Sequence, residues 1–179
     1  MGSAAGEAVL SAPLKVVTHS LLDELAGKAA GSSKRRTHYN LHSGPDDLLQ
    51  RFLVVARGDS YFHPHRHATR GELATLIRGR VDVLTFDDSG TVLGRMTVGE
   101  GSEALAYETP PRTWHTLVPR SEVCAFLEVK LGPYDPATAA EFAPWAPAEV
   151  GSNSWSFRAW LATAGVGDCW RAATASVLR

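Results

Sequence analysis

The sequence predicts an all-β fold, an antiparallel sandwich or barrel with a short helix before it and a helical tail after it. Three observations carry that prediction. From Gln50 to Lys130 the chain is a succession of short runs rich in Val, Leu, Ile, Phe and Thr, residues that suit a pleated, half-buried surface. The runs are separated by clusters with turn chemistry, such as Arg57-Gly58-Asp59, Arg78-Gly79-Arg80, Asp87-Asp88-Ser89-Gly90, Gly99-Glu100-Gly101 and Pro119-Arg120-Ser121. No alternation of strand and helix patterns, the mark of a parallel sheet, interrupts them.

Taken in order, Ser20 is placed to cap a helix that carries Leu21, Leu22 and Leu25 on one side. Asp23 and Glu24 then fall in the first turn, where the helix dipole favours them, and the stretch from Gly27 to Ser33 ends the helix. The expected strands are Arg51 to Ala56, Tyr61 to Arg66, Glu72 to Ile77, Val81 to Phe86, Val92 to Val98, Glu103 to Tyr107, Thr113 to Val118 and Val123 to Lys130. Past Gly132-Pro133, the segment Pro136 to Ala143 reads as a helical turn closed by Pro144-Trp145-Ala146-Pro147. The tail from Ser154 to Arg179 sets Trp155, Trp160 and Trp170 among Ala and Ser, a pattern for one or two short helices packed on a sheet face or a partner subunit.

A chain of 179 residues suffices for one domain with a real core plus tails. The expected division is 1–35 for a leader and short helix, 36–135 for the barrel and 136–179 for a C-terminal extension. Formal charge is −1, and the basic triplet Lys34-Arg35-Arg36 is too short to indicate nucleic acid; it reads as a solvated loop. The N-terminal residues lack a positively charged region, and Ala8-Val9-Leu10 is too short for a secretory or membrane segment. A cytoplasmic location without membrane attachment is therefore expected. Cys124, in an apolar run, reads as a small buried hydrophobe, and with Cys169 forms no thiolate metal motif.

The chemistry concentrates at His63-Pro64-His65-Arg66-His67, which holds three of the seven histidines, with Glu72 just beyond and His115 far downstream. Alternate residues of a strand share a face, so His65 and His67 can address one point, and His63 has the same parity. Imidazole is the commonest metal ligand, and Glu72 completes a mixed nitrogen and oxygen set. An expression tag would be unbroken and terminal, unlike this interleaved central run. By the same parity Arg66 points outward, and Tyr61 faces inward with a hydroxyl to offer. On Val123 to Lys130 one face carries Cys124, Phe126, Glu128 and Lys130. Glu128 and Lys130 are thus either a neutralising ion pair or acid/base groups in a cavity. Asn40 and His42 share strand parity and are candidates for substrate contact, as is His63.

Gly58, His65, His67, Glu72 and Gly79 together resemble the first cupin motif, with one extra residue between Gly58 and His65. Pro110-Pro111-Arg112-Thr113-Trp114-His115 resembles the second, with Arg112 where that motif usually has glycine. A closer resemblance runs over roughly residues 20–150, through Arg36 to His42, Gln50-Arg51-Phe52, Pro64 to His67, Phe86 to Gly90, Thr113 to Thr116, Glu128 to Tyr134 and Phe142 to Pro147. These blocks look like those of the WbuC-type cupin-fold metalloproteins of the RmlC-like superfamily. The resemblance implies an antiparallel double-stranded β-helix, the cupin jelly-roll barrel, with one divalent metal ion per chain on His65, His67, Glu72 and His115. It also implies that the chain forms homodimers through an exchanged strand or tail, and it leaves the reaction undefined.

Four protein ligands saturate a tetrahedral zinc but leave two positions open on an octahedral ion. Fe(II) is the favoured metal, with Mn(II), Ni(II), Co(II) and Zn(II) as alternatives. The expected function is that of a metal-dependent enzyme acting on a small molecule, an oxygenase ahead of an isomerase, lyase or sugar-modifying enzyme. Glu128, Lys130 and Tyr61 are the candidate catalytic residues, and Asn40, His42 and His63 the candidate substrate contacts. The competing readings are a non-catalytic, metal-bearing carbohydrate or small-ligand binding protein and a metal-independent sugar epimerase.

Overall fold

Two antiparallel five-stranded sheets face each other, and each has its outer face partly covered by a helix. The computed structural model describes residues 14–151 and 153–171. Its elements are α1 (His19–Gly31), β1 (Arg36–Asn40), β2 (Leu49–Arg57), β3 (His65–Arg66), β4 (Glu72–Arg78), β5 (Arg80–Phe86), β6 (Val92–Gly99), β7 (Ala106–Thr109), β8 (Trp114–Pro119), β9 (Val123–Leu131), β10 (Glu141–Phe142) and α2 (Ser154–Leu161). The first sheet runs β1-β2-β9-β4-β7 and the second β10-β3-β8-β5-β6.

Strand alternation sorts the apolar side chains into three clusters. Val54 and Ala56 of β2, Val81 and Val83 of β5, Leu117 of β8 and Phe126 of β9 point between the sheets with Cys124 and form the central core. The opposite parity, Leu53, Val55 and Ala125, faces outward and is covered by Leu22, Leu25 and Ala26 of α1. On the other sheet Leu84, Phe86, Trp114 and Val118 face outward beneath Phe157 and Leu161 of α2, with Trp145, Trp160 and Trp170 packed around them. Trp155 departs from the expected core role, because it lies on the solvent side of α2 at 72% exposure.

Helix α1 starts earlier than expected. Thr18 is extended and its Oγ1 accepts from the Leu21 amide at 3.2 Å, so the cap is filled two residues before Ser20, and neither acidic residue falls in the first turn. The helix also runs through Gly27 to Gly31, because Ala26 and Ala29 are buried with the leucines and packing outweighs glycine's poor propensity. Residues 61–64 form no strand; the ladder there is only His65–Arg66. The segment expected as a helical turn contains one at residues 136–138 and then extends into β10, which pairs Phe142 with His65 and Glu141 with Arg66.

A charged clamp joins the tail to the second sheet. Asp82, nearly buried on the outer face of β5, accepts from Arg95 Nη2 at 2.6 Å, Arg120 Nε at 2.7 Å and Thr97 Oγ1 at 2.7 Å. Both guanidinium groups also donate to the Ala162 carbonyl at the C-terminal end of α2, at 3.0 and 2.6 Å, where cations suit the helix dipole. Replacing Asp82 with Ala strips two part-buried cations of their counter-charge and is expected to cost about 3 kcal/mol, read from urea unfolding.

Gly79 and Arg112 share a left-handed backbone, each with φ of 66°. At Gly79 a Cβ would lie 2.5 Å from the Val123 carbonyl, so glycine is required at that hairpin. At Arg112, whose amide donates to the His67 carbonyl at 2.7 Å, the side chain is tolerated with strain. Arg112→Gly is therefore expected to raise stability by up to about 1 kcal/mol, measured as a higher urea midpoint with unchanged slope.

Candidate metal centre

Strand register builds the site from two cross-strand pairs, one on each sheet. His65 of β3 pairs with His115 of β8, and Glu72 of β4 pairs with Lys130 of β9. His67, just past β3, adds a third imidazole. The ligand atoms of His65, His67 and His115 lie within 4.8 Å of one another. Glu72 Oε2 is 3.0 Å from His67 Nε2, and its Oε1 is 3.6 Å from His115 Nε2.

The orientation of the rings is set from behind. Each Nδ1 meets a backbone carbonyl: His63 for His65 at 3.0 Å, Ala139 for His67 at 2.6 Å and Thr113 for His115 at 2.9 Å. A carbonyl can only accept, so each Nδ1 carries the proton and each neutral ring turns an Nε2 lone pair to the centre. Among the described residues, buried His115 Nε2 has no hydrogen-bond partner, and His67 Nε2 faces a carboxylate oxygen rather than a donor. Such a convergence of lone pairs is what a bound cation would satisfy. The 3.0 Å separation matches two neighbouring ligands of one ion held at about 2.1 Å each, so these residues fit a divalent metal.

The charges respond to burial and to one another. Burial, then the nearby His115, pushes the His65 imidazole down to about 3, so it stays an acceptor at any ordinary pH. Burial also acts to raise Glu72, but the contacts with the His115 and His67 rings and the charge of Lys130, which donates to it, outweigh burial and hold the carboxyl well below the usual range. Lys130 Nζ donates to Glu72 Oε2 at 2.8 Å and sits 3.6 Å from Glu128 Oε2. Burial disfavours its charge, yet the two carboxylates prevail and raise it. Glu128, buried and beside the Glu72 charge, is pushed up to about 8.

These groups open on a cavity of about 440 Å³. Asn40, His42 and His63, singled out as substrate contacts, line it, as do Glu128 and Lys130. Tyr61 does not. Because residues 61–64 are not a strand, the parity that turned Tyr61 inward is lost; its hydroxyl donates to the Pro147 carbonyl at 2.7 Å and its ring packs edge-on against Phe157. Burial raises that phenol beyond any useful range, so Tyr61 is a structural residue of the tail contact. Arg66 points outward as expected, onto the Trp114 ring and into ion pairs with Glu141 and Asp88.

Sequence reasoning missed much of the cavity wall. Arg36, read as part of a solvated loop, is largely buried; it pairs with Glu149 and lies 4.6 Å over the Phe62 ring. Phe52, Phe142, Arg70 and Tyr134 also line the cavity. Phe52 shares the inward parity of Val54 and could have been found that way; the others arrive from loops and from β10, where no periodicity applies.

The fold is similar to that of oxalate oxidase in complex with the substrate analogue glycolate, with a TM-score of 0.51 and 14% identity over 64% of this chain and 58% of that one. It is also similar to CapF bound to the inhibitor 3-isopropenyl-tropolone, with a TM-score of 0.52 and 13% identity over 62% of this chain and 32% of that one. A cupin 2 conserved barrel domain protein from Rhodopseudomonas palustris matches with a TM-score of 0.46 and 18% identity over 68% of this chain and 71% of that one. The fold that the chain shares with oxalate oxidase and CapF is the two-sheet antiparallel jelly roll. A family model described as a domain of unknown function (DUF6016) matches residues 17–98, which include His65, His67 and Glu72 but end before His115. No curated protein matches the sequence. No helix of the described residues is long and apolar enough to cross a membrane.

A carboxyl whose pKa is raised on folding, from 4.5 to about 8 for Glu128, favours the folded state below the lower value and loses that contribution as pH rises through the higher one. In metal-free protein the stability of the wild type relative to Glu128→Gln is expected to fall across this window and level off above it. Urea titrations of both proteins at several pH values check this; a difference independent of pH would count against it.

Proposed function

We propose that this protein is a metal-dependent cupin enzyme acting on a small molecule, with His65, His67, Glu72 and His115 holding one divalent ion, Fe(II) ahead of Mn(II), Ni(II), Co(II) or Zn(II). The observation that supports this most is the convergence of three backbone-oriented imidazoles and a charged carboxylate beside a cavity that His65, His67 and Glu72 line. The resemblance to the WbuC-type metalloproteins points the same way. When bound, a divalent ion supplies Lewis-acid polarisation of a substrate oxygen and, if it is iron, one-electron chemistry with dioxygen.

The chain's own residues supply the rest. Lys130 fixes Glu72 in place and keeps it ionised, which preserves the charge that an ion needs. Phe52, Phe62 and Phe142 line the cavity beside the site and exclude water from the substrate. These features favour the oxygenase reading, in which the walls protect a reactive intermediate. A second reading, isomerase or lyase, is favoured by Glu128, a cavity carboxyl that holds its proton near neutrality and can give or take one at a substrate carbon or oxygen.

Protein purified without chelator or added metal is expected to carry close to one divalent ion per chain, and His115→Ala and Glu72→Gln are expected to lose it. Metal analysis that finds none in the wild type would sink the proposal. The two reactions separate in an oxygen electrode. Substrate-dependent oxygen uptake supports the oxygenase; turnover without it, lowered about 100-fold or more by Glu128→Gln at unchanged metal content, supports the isomerase or lyase.

A further inference from the structure

Among the described residues, four cations line the cavity and three have carboxylate partners. Lys34 and Arg36 both pair with Glu149, and Lys130 pairs with Glu72. The fourth is Arg70, carried on the short connection between His67 and Glu72. Its Nη1 donates to the carbonyls of Leu131 at 2.7 Å and Pro133 at 3.3 Å. These bonds lay the guanidinium along the end of β9, next to Lys130. Its Nε and Nη2 make no hydrogen bond among the described residues, although Arg70 lines the cavity.

A guanidinium anchored through one nitrogen and open along its other edge presents a fork that fits a carboxylate with two parallel hydrogen bonds. The charge balance agrees. The three paired cations share only two carboxylates, Glu149 and Glu72, and Glu128 is pushed up to about 8, so with Arg70 the cavity carries two positive charges in excess. A divalent ion on neutral imidazoles and a single carboxylate adds to that excess. Beside the fork the wall is apolar and aromatic, with Phe52 and Phe142, and the Tyr134 hydroxyl and Asn40 amide also make no hydrogen bond among the described residues.

We propose that the cavity takes a small carboxylic acid with an apolar body, its carboxylate docked on Arg70, its body against Phe52 and Phe142, and its far end toward the histidine cluster. This deepens the metal-enzyme reading by naming the substrate class, and it rests on that reading only for the far end of the ligand. Arg70 then acts as a specificity residue.

Benzoate and its uncharged analogue benzamide are the probes, with binding followed by isothermal titration and ligand-observed NMR on wild-type protein, both as purified and stripped of metal. Benzoate is expected to bind saturably and about tenfold or more tighter than benzamide. Arg70→Ala is expected to weaken benzoate about tenfold or more without changing benzamide, and Arg70→Lys to restore part of the loss. Equal binding of the two probes by the wild type would overturn the proposal whatever the variants do, as would full benzoate affinity in Arg70→Ala. Metal content is measured on the same samples. A wild type without metal that still prefers benzoate through Arg70 separates a failure of the metal reading from a failure of this one.

Discussion

The buried carboxylate of Glu72 is the constraint around which the rest of the site is arranged. An anion at 3% exposure is tolerated only if positive charge or hydrogen-bond donors surround it. Lys130 provides one by cross-strand pairing, and the space before His67 and His115 is shaped for a second. Everything else follows from keeping that arrangement intact. The first sheet must hold Glu72 opposite Lys130, the second must hold His65 opposite His115, and the core must fix the distance between the sheets. Phe126, Leu117, Val54 and Val83 fill that gap and act as the spacer.

The fold was legible because its signals are local. Alternating apolar residues and glycine-bearing turns located seven strands to within a few residues, and motif spacing separated His65 and His67 from His63. What was not legible depends on partners distant in sequence. Arg36 reads as a loop cation until Glu149 is brought against it. Tyr61 was misjudged because its parity was counted through a segment that has no ladder. The Glu128 and Lys130 pair was seen on one strand face, but its link to Glu72 needs the β4 and β9 register, which no residue pattern states.

The aromatic tail shows how a chain of this size reinforces a thin sandwich. Trp145, Trp160 and Trp170 gather around Phe157 and against Trp114, the immediate neighbour of His115. The face of β8 opposite the candidate metal centre is therefore held rigid, while the cavity side is free to carry polar groups. The Asp82 clamp adds direction to this otherwise unspecific apolar contact by fixing where α2 ends. Stability and chemistry are thus divided between the two faces of a single strand.

The brevity of β3 carries its own consequence. Two residues of ladder cannot hold a register by themselves, so His65 and His67 are positioned by what surrounds them: the Arg66 pairs outside, the Ala139 carbonyl behind and the β10 pairing alongside. Most of those supports come from residues 139–142, more than seventy positions along the chain from the residues that they hold, and contacts so far apart carry a larger closure cost. The geometry of the two histidines therefore depends on residues 139–142 staying docked against β3. Whatever loosens that far segment loosens both rings at once, so the histidine cluster reports on the docking of a distant stretch of chain.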